Sequence, residues 1–324
     1  FLLLDSNRSC KNQALIGEGI VLGERVNPSG LGAGSDAQVG RNYALESKNE
    51  IIQAITGADM IFIVAGLGGG IGSGAVPVIA ELADDLCIPV VTFVTEPFSF
   101  EGGRRLNNAH QAKCKLESTR SAMMMLSHEQ LLSSVNRNMP LVEAMAKSGE
   151  LLADMISRIL ALCTSVGLIN IDFSDLCTLI ALGGHLFIGQ GDCDESENSV
   201  EQAIELAAEN PLLTTKALSL YKARGILVYL EIGSEFNLGE LHSVGQQVEE
   251  LLSNDAQVML GVTINPEWRQ QLRVTVMAMG LQESEEVKSS SFEPANVLSF
   301  AHRQHGDQHG RRTIEAPDDS AAPT

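Results

Sequence analysis

The chain has 324 residues, 44% of them hydrophobic, and a formal net charge of −19 from 22 Lys and Arg against 41 Asp and Glu. That length and apolar content accommodate two packed domains, while the negative charge disfavours nucleic acid and anionic lipid as direct partners. No apolar run reaches the roughly 18 residues of a membrane span, so no direct membrane insertion is expected and any attachment would run through another protein. The six cysteines, Cys10, Cys87, Cys114, Cys163, Cys177 and Cys193, show no CxxC or Cys/His ligand spacing. Several sit in apolar segments, which predicts buried, reduced thiols in a cytoplasmic protein and no metal site.

Taken in order, the chain opens on Phe1 inside the apolar run FLLL, with no initiator Met. This predicts a strand over Phe1–Leu4 and a fragment that begins inside it, and the run is too short for a signal peptide. The polar DSNRSCKN that follows reads as a loop, and Ile20–Leu22 as a short strand. Gly30–Arg41, GLGAGSDAQVGR, reads as a Gly/Ser-rich turn, and Ala44–Gly57 as a surface helix with Ile51, Ile52 and Ile55 on one face.

Ile61–Ala65 is rich in β-branched and aromatic residues and reads as a buried strand. It empties into Gly66, Gly68, Gly69, Gly70, Gly72 and Gly74, after which Val76, Ile79, Ala80, Ala83 and Leu86 recur on one helix face. Pro77 is tolerated because the first helical turn needs no backbone donor there. Strand, glycine loop and helix together form a geometry that holds phosphate. Without Cβ atoms the backbone approaches an anion, turns its N–H groups toward it and adds the positive end of the helix dipole. The loop lacks the Lys of a Walker P-loop. Read as a dinucleotide fingerprint it has Ile71 where the last glycine belongs, with Glu96 ending the next strand as a ribose-reading carboxylate would. An NAD-dependent enzyme therefore stands as an alternative at this point.

Pro89–Val94 reads as the next strand, Leu106–Ser121 as a helix, and Ala122–Leu126 (AMMML) as a buried strand whose methionines fill core. A short helix is expected near Gln130–Val135. From Pro140, Leu141, Met145, Ser148, Leu152, Met155, Ile159 and Leu162 recur at three- and four-residue spacing, a core-facing helix of about 24 residues. The remainder alternates: a helix over Leu176–Leu182, a strand over His185–Ile188, a helix over Glu197–Glu209, a strand over Gly225–Ile232 and a helix over Leu238–Leu252. Strands at Gln257–Ile264 and Leu272–Met279 close a second, mostly β sheet, and His185 reads as structural. From Glu283 the text loses periodicity and predicts a disordered tail.

Four segments carry a resemblance. GGGIGSG (Gly68–Gly74) resembles GGGTGTG, the signature of the FtsZ/tubulin family of GTPases, and TEPFSFEGGRR (Thr95–Arg105) resembles that family's TxPFxFEGxRR. Gly30–Arg41 resembles GLGAGxxxxxGR, and GLINIDFSD (Gly167–Asp175) resembles GxxNxDFxD. The resemblance spans residues 1–281. It implies an α/β fold: a Rossmann-like GTP-binding domain over residues 1–139, a central connecting helix over 140–164, an activating domain over 165–281 and a tail over 282–324. It also implies an earlier glycine loop upstream of Phe1.

By the same resemblance the cofactor is GTP or GDP, with Mg2+ accompanying the nucleotide. Ala33 and Gly34 would lie near the γ-phosphate, and Gly68, Gly69, Gly70, Ile71, Gly72, Ser73 and Gly74 would cradle phosphates. Glu101 would bond the ribose and Arg105 approach the phosphates. Met145 stands where an aromatic residue stacks on guanine, and Glu150 where a carboxylate reads the base. Asn170, Asp172 and Asp175 would complete hydrolysis in the next subunit of a head-to-tail filament. The implied partners are further copies of the chain, with membrane-anchor and division proteins, and the implied location is the cytoplasm at the division site, where such filaments form the cytokinetic ring. Two departures matter: Ser73 keeps the hydroxyl of the family's Thr, whereas Ile71 keeps only its β-branching, which points to a slow GTPase if that hydroxyl faces phosphate. A degenerate filament protein with little GTPase activity is the second alternative.

Overall fold

The computed structural model describes residues 1–9, 17–128, 139–164, 167–193, 199–208, 220–251 and 256–281. The expected helix near Gln130–Val135 and the expected tail lie outside these residues. Strand β1 (Leu2–Asp5) pairs in parallel with β2 (Glu18–Val21) as a separate two-stranded sheet.

Two helices follow where one was expected. Helix α1 (Ala37–Glu46) starts inside the predicted glycine turn because Asp36 caps it, its Oδ1 accepting from the N–H groups of Gln38 and Val39. Helix α2 (Lys48–Ile55) is set off at Ser47, which is buried and leaves helical geometry. Its hydroxyl accepts from Gly23 N at 3.0 Å, so the break lets the helix pair hold the loop after β2. Ile51 and Ile55 on α2 point into the core, as their spacing predicts.

The units β3 (Ile61–Gly66), α3 (Gly70–Asp85), β4 (Val90–Glu96), α4 (Gly103–Glu117) and β5 (Ala122–Ser127) form successive parallel crossovers. Parallel neighbours need such long connections, and the helices cover the strands. Helix α5 (Leu141–Thr164) has the expected 24 residues. After it come α6 (Phe173–Ile180), β6 (Gly184–Cys193), α7 (Ser199–Ala208), β7 (Gly225–Ile232), α8 (Leu238–Leu251), β8 (Gln257–Ile264) and β9 (Leu272–Leu281).

The second sheet is not separate, contrary to the expectation. The strand order is β3-β4-β5-β6-β9-β7-β8, one seven-stranded sheet. The join is narrow: only Ala122↔Gly184 and Met123↔His185 pair β5 with β6. Strand β9 is antiparallel to both β6 and β7. Beside the β5–β6 pairing His185 Nε2 lies 3.0 Å from Glu117 Oε1 at the end of α4.

Two hydrophobic cores result. The first gathers Leu22, Ile51, Ile79, Ala83, Val94, Leu116 and Met123 around α3. The second gathers Leu152, Met155, Ile159 and Leu162 of α5 with Phe93, Met124 and the strands β6–β9. Alternation along β5 sends Met123 to one core and Met124 to the other. One expectation about cysteine fails. Among the four whose side chains are described, Cys87 and Cys114 are exposed, Cys177 and Cys193 are half-buried, and all are free thiols. Cys87 ends the turn after α3 at φ +56°, and Cys114 lies on the outer face of α4, so a neighbouring apolar run did not imply burial. Among the described residues no helix is long and apolar enough to cross a membrane.

Candidate functional site

The carboxyl end of β3 carries the main glycine loop and that of β4 the segment Pro97–Gly102, the position where parallel α/β sheets bind ligands. Each glycine of the main loop has its own cause. Gly68 has φ +95°, a left-handed turn that favours glycine, and a Cβ there would press on Pro97 and Arg105. Gly70, Gly72 and Gly74 are packing glycines. A Cβ on Gly70 would lie 2.7 Å from Ala33 Cβ, one on Gly72 1.9 Å from Gly66 O, and one on Gly74 2.2 Å from Ala37 O. Helices α1 and α3 thus meet backbone to backbone, and Gly40 completes that seam 2.0 Å from Gly70 O by the same construction.

Gly69 is different. It has ordinary extended geometry, φ −81° and ψ 172°, and nothing lies within 4 Å of where its Cβ would be. It is the N-cap of α3, with no side chain capping the helix. The first-turn N–H groups over Gly69, Gly70 and Ile71 therefore face an open seat at the positive end of a 16-residue helix. An open, uncapped helix start of this kind favours an anion.

Ser73 is 2% exposed, and its Oγ accepts from Gly68 N at 2.7 Å, so the hydroxyl holds the loop to itself. Ile71 is half-buried and packs against the first core, while its backbone N–H stays in the first turn of α3. The first loop sits beside the second. Gly30, Gly32 and Gly34 are left-handed, as is Ser35 at φ +56°. Ala33 is buried against Gly70, whereas Gly34 is exposed with open space at its Cβ position. Ser6 Oγ and Asn27 Nδ2 are buried without a hydrogen-bond partner, and Ser6 lies beside Gly32. Two orphaned polar atoms at the rim of this loop are a feature the sequence did not single out. The only signal for Ser6 was a polar DSN directly after a strand.

Helix α4 touches both loops. Arg104 reaches Asp36, the cap of α1, at 3.4 Å. Glu101 and Arg105 pair with each other, and Glu101 Oε1 also accepts from Phe98 N at 2.9 Å. Both are part exposed. Asn108 is buried at 9% exposure and donates from Nδ2 to Ser35 O at 3.0 Å and to Gly68 O at 3.2 Å. Sequence reading passed over this residue. It stood in phase with Ala112 and Leu116 on the buried stripe of α4, a polar side chain where an apolar one was due. Phe98 stacks on Phe100 at 4.8 Å and meets the buried His128 ring at 4.8 Å with a 35° tilt. Burial holds the His128 imidazole below its usual range, partly opposed by the Glu101 carboxylate.

The remaining predicted residues lie elsewhere. Met145 and Glu150 are in the first half of α5, with Glu150 exposed. Asn170, Asp172 and Asp175 are all exposed. Asn170 Oδ1 accepts from Gly167 N at 2.5 Å, and Ile169 exchanges two backbone bonds with Val262 of β8, which pins this loop. Asp172 occupies the N-cap of α6 without a side-chain capping bond, and Asp175 follows in the first turn. Helix α6 packs toward the amino ends of β3–β5. Ala181 at its end lines a small cavity with Pro89, Val90 and Ser121, and Cys177 sits near enough to Asp59, just ahead of β3, that this carboxylate reinforces the burial raising its thiol pKa. The glycine loops are at the other end of the same strands. The structure does not bring the acidic loop and the glycine loops together within one chain.

Residues 2–136 match the model for the Tubulin/FtsZ family, GTPase domain, and residues 184–282 that for the FtsZ family, C-terminal domain. The Cell division protein FtsZ of Buchnera aphidicola subsp. Schizaphis graminum is 35% identical over 281 residues, covering 87% of this chain and 72% of that protein. That of Azotobacter vinelandii is 36% identical over 306 residues, covering 91% and 77%. An FtsZ dimer from M. jannaschii, solved empty, superposes with a TM-score of 0.71 at 31% identity, over 86% of this chain and 80% of that one. CetZ2 from Haloferax volcanii, a GTPγS-bound protofilament, shares the fold at 22% identity with a TM-score of 0.71, over 89% and 86%. The chain belongs to the tubulin/FtsZ family of GTPases and, within it, to the FtsZ proteins of cell division.

Proposed function

We propose that the seat at the start of α3 takes the phosphates of GTP or GDP and that hydrolysis is completed by a second copy of the chain stacked head to tail. The observation that carries this reading is Gly69. It needs no glycine for its backbone angles or its packing, yet a side chain there would fill the seat that the free N–H groups face. In this reading the amides over Gly69–Gly72 bind phosphate, and Ala33 and Gly34 line the far side of the seat. Glu101 turns from Arg105 to the ribose hydroxyls, freeing the guanidinium for phosphate, to which it is suited as a bidentate donor. Met145 covers the base, and Glu150 accepts from it. Magnesium accompanying the nucleotide would neutralise charge on its phosphates.

The acidic loop supports the second half of the reading. Asp172 and Asp175 are exposed at the opposite end of the strands from the seat, so stacked copies would bring one molecule's carboxylates to the next molecule's phosphates. There a carboxylate orients or deprotonates the attacking water, and Asn170 holds the loop in shape. The M. jannaschii dimer and the H. volcanii protofilament are assemblies of related chains. The reading extends to cytoplasmic filaments at the division site, tethered through anchor proteins.

Two measurements test the proposal. Equilibrium dialysis against GTP, ATP and NAD should show preference for GTP, and preferential NAD binding would overturn the assignment of the seat. Asp175→Ala should bind GTP yet hydrolyse it slowly, and mixed into the unaltered protein it should depress turnover by more than dilution. Strictly proportional loss would show that each chain contains its own complete site.

A further inference from the structure

We propose that Asn108 is a positioning residue that locks the two glycine loops in register and aims the Gly69 N–H into the anion seat. The inference rests on the reading of that seat given above. Asn108 is buried, and its amide reaches a carbonyl in each loop, Ser35 O at 3.0 Å and Gly68 O at 3.2 Å. Both acceptors are backbone oxygens, so only the NH2 end of the amide can face them, and its two hydrogens match the two acceptors.

The consequence follows from peptide geometry. The carbonyl of Gly68 and the N–H of Gly69 belong to one planar trans unit and point in opposite directions. Holding the Gly68 carbonyl against Asn108 turns the Gly69 N–H away from α4, where no described residue accepts from it. The other bond acts on Ser35, whose φ of +56° is unfavourable for a residue with a Cβ. Asn108 anchors that carbonyl and so holds the turn in which Asp36 N bonds Ala33 O at 3.0 Å. Two peptide units from separate loops thereby take their orientation from one side chain. Each donated bond is a modest net gain, about 0.5–1.5 kcal/mol for a neutral pair. The larger effect is on aim, because donors fixed before the ligand arrives need no reorganisation.

The test uses the full chain and two variants. Asn108→Leu keeps the volume and removes both bonds, and Asn108→Ser keeps one hydroxyl donor if the larger change impairs folding. In nucleotide-free protein, hydrogen exchange of the two bonded loop amides, Asp36 N (to Ala33 O) and Gly68 N (to Ser73 Oγ), should quicken about tenfold or more in the Leu variant and less in the Ser variant, at the rate conversion of about 1.4 kcal/mol per decade. Elsewhere in the first core exchange should stay as it was. Unchanged exchange in both loops would overturn the clamp whatever the nucleotide does. Affinity for GTP should then fall about tenfold or more in the Leu variant while affinity for guanosine, which has no phosphate, stays within about twofold. Equal losses for both ligands would mean Asn108 is structural rather than positioning. If the unaltered protein binds no GTP, the nucleotide reading falls, and the exchange comparison alone still decides whether Asn108 ties the loops.

Discussion

Ser73 Oγ accepts a hydrogen bond from Gly68 N at 2.7 Å across five residues of the glycine loop, and both groups are buried. The hydroxyl that the signature retains is thus occupied in closing the loop. Ser73→Ala leaves the Gly68 N–H buried and unpaired, which costs about 1–3 kcal/mol. Chemical denaturation should show that loss as a lower midpoint at unchanged slope, and GTP affinity should fall with it. Stability equal to the parent would show that the loop relaxes to expose the amide.

Gly40 and Gly69 should respond in opposite ways to the same change. A Cβ on Gly40 would lie 2.0 Å from Gly70 O, so Gly40→Ala must push α1 from α3 and should cost about 1–3 kcal/mol. At Gly69 a Cβ meets nothing and φ is ordinary, so Gly69→Ala should change stability by less than about 1 kcal/mol. The nucleotide, however, should bind Gly69→Ala more weakly, about tenfold or more in dialysis, because the methyl enters the seat. Full GTP affinity in Gly69→Ala would remove the seat from consideration.

Ile71 packs against the first core, so the departure from the family signature is a packing substitution on the side-chain side. Ile71→Thr should therefore lower stability by about 1 kcal/mol and leave phosphate release and GTP affinity within about twofold. A several-fold gain in turnover would mean that a hydroxyl at this position reaches the phosphates after all.

His128 should make stability fall in acid. Burial lowers its folded-state pKa below the ordinary value of 6.5, so below about pH 6.5 the unfolded chain binds the proton more readily than the folded one. The contribution is fully present above the unfolded pKa and is lost as pH falls through and below it. His128→Phe keeps the ring contact with Phe98 and removes the proton. Its melting temperature should drop less than the parent's between pH 7 and pH 5.5, and parallel curves would assign the acid sensitivity to other groups.

What could be read from the sequence was whatever depends on near neighbours. The strand at Gly225–Ile232 follows from a short apolar run rich in strand formers, and the 24-residue α5 from a 3.6-residue repeat of apolar side chains. The four glycine- and acid-rich segments identified the family for a similar reason: backbone approach and left-handed turns restrict which residues fit, and leave a local signature. Sequence alone also placed helix α1 too late, since an Asp after a glycine run is either a turn residue or a cap until its N–H partners exist. Tertiary structure decided the rest. Ala122 and Gly184 are 62 residues apart, yet the pairing of β5 with β6 there joins two expected sheets into one. Asn108 meets carbonyls 73 and 40 residues away, so nothing in its own neighbourhood announced a role. Which glycines serve packing and which leaves room for a ligand was equally beyond reach, because all six look alike in the text. Gly68 is set apart by its φ of +95° and the others by what a Cβ would strike; for Gly70 and Gly74, as for Gly40 on α1, that is a backbone atom or side chain brought in by another helix or loop.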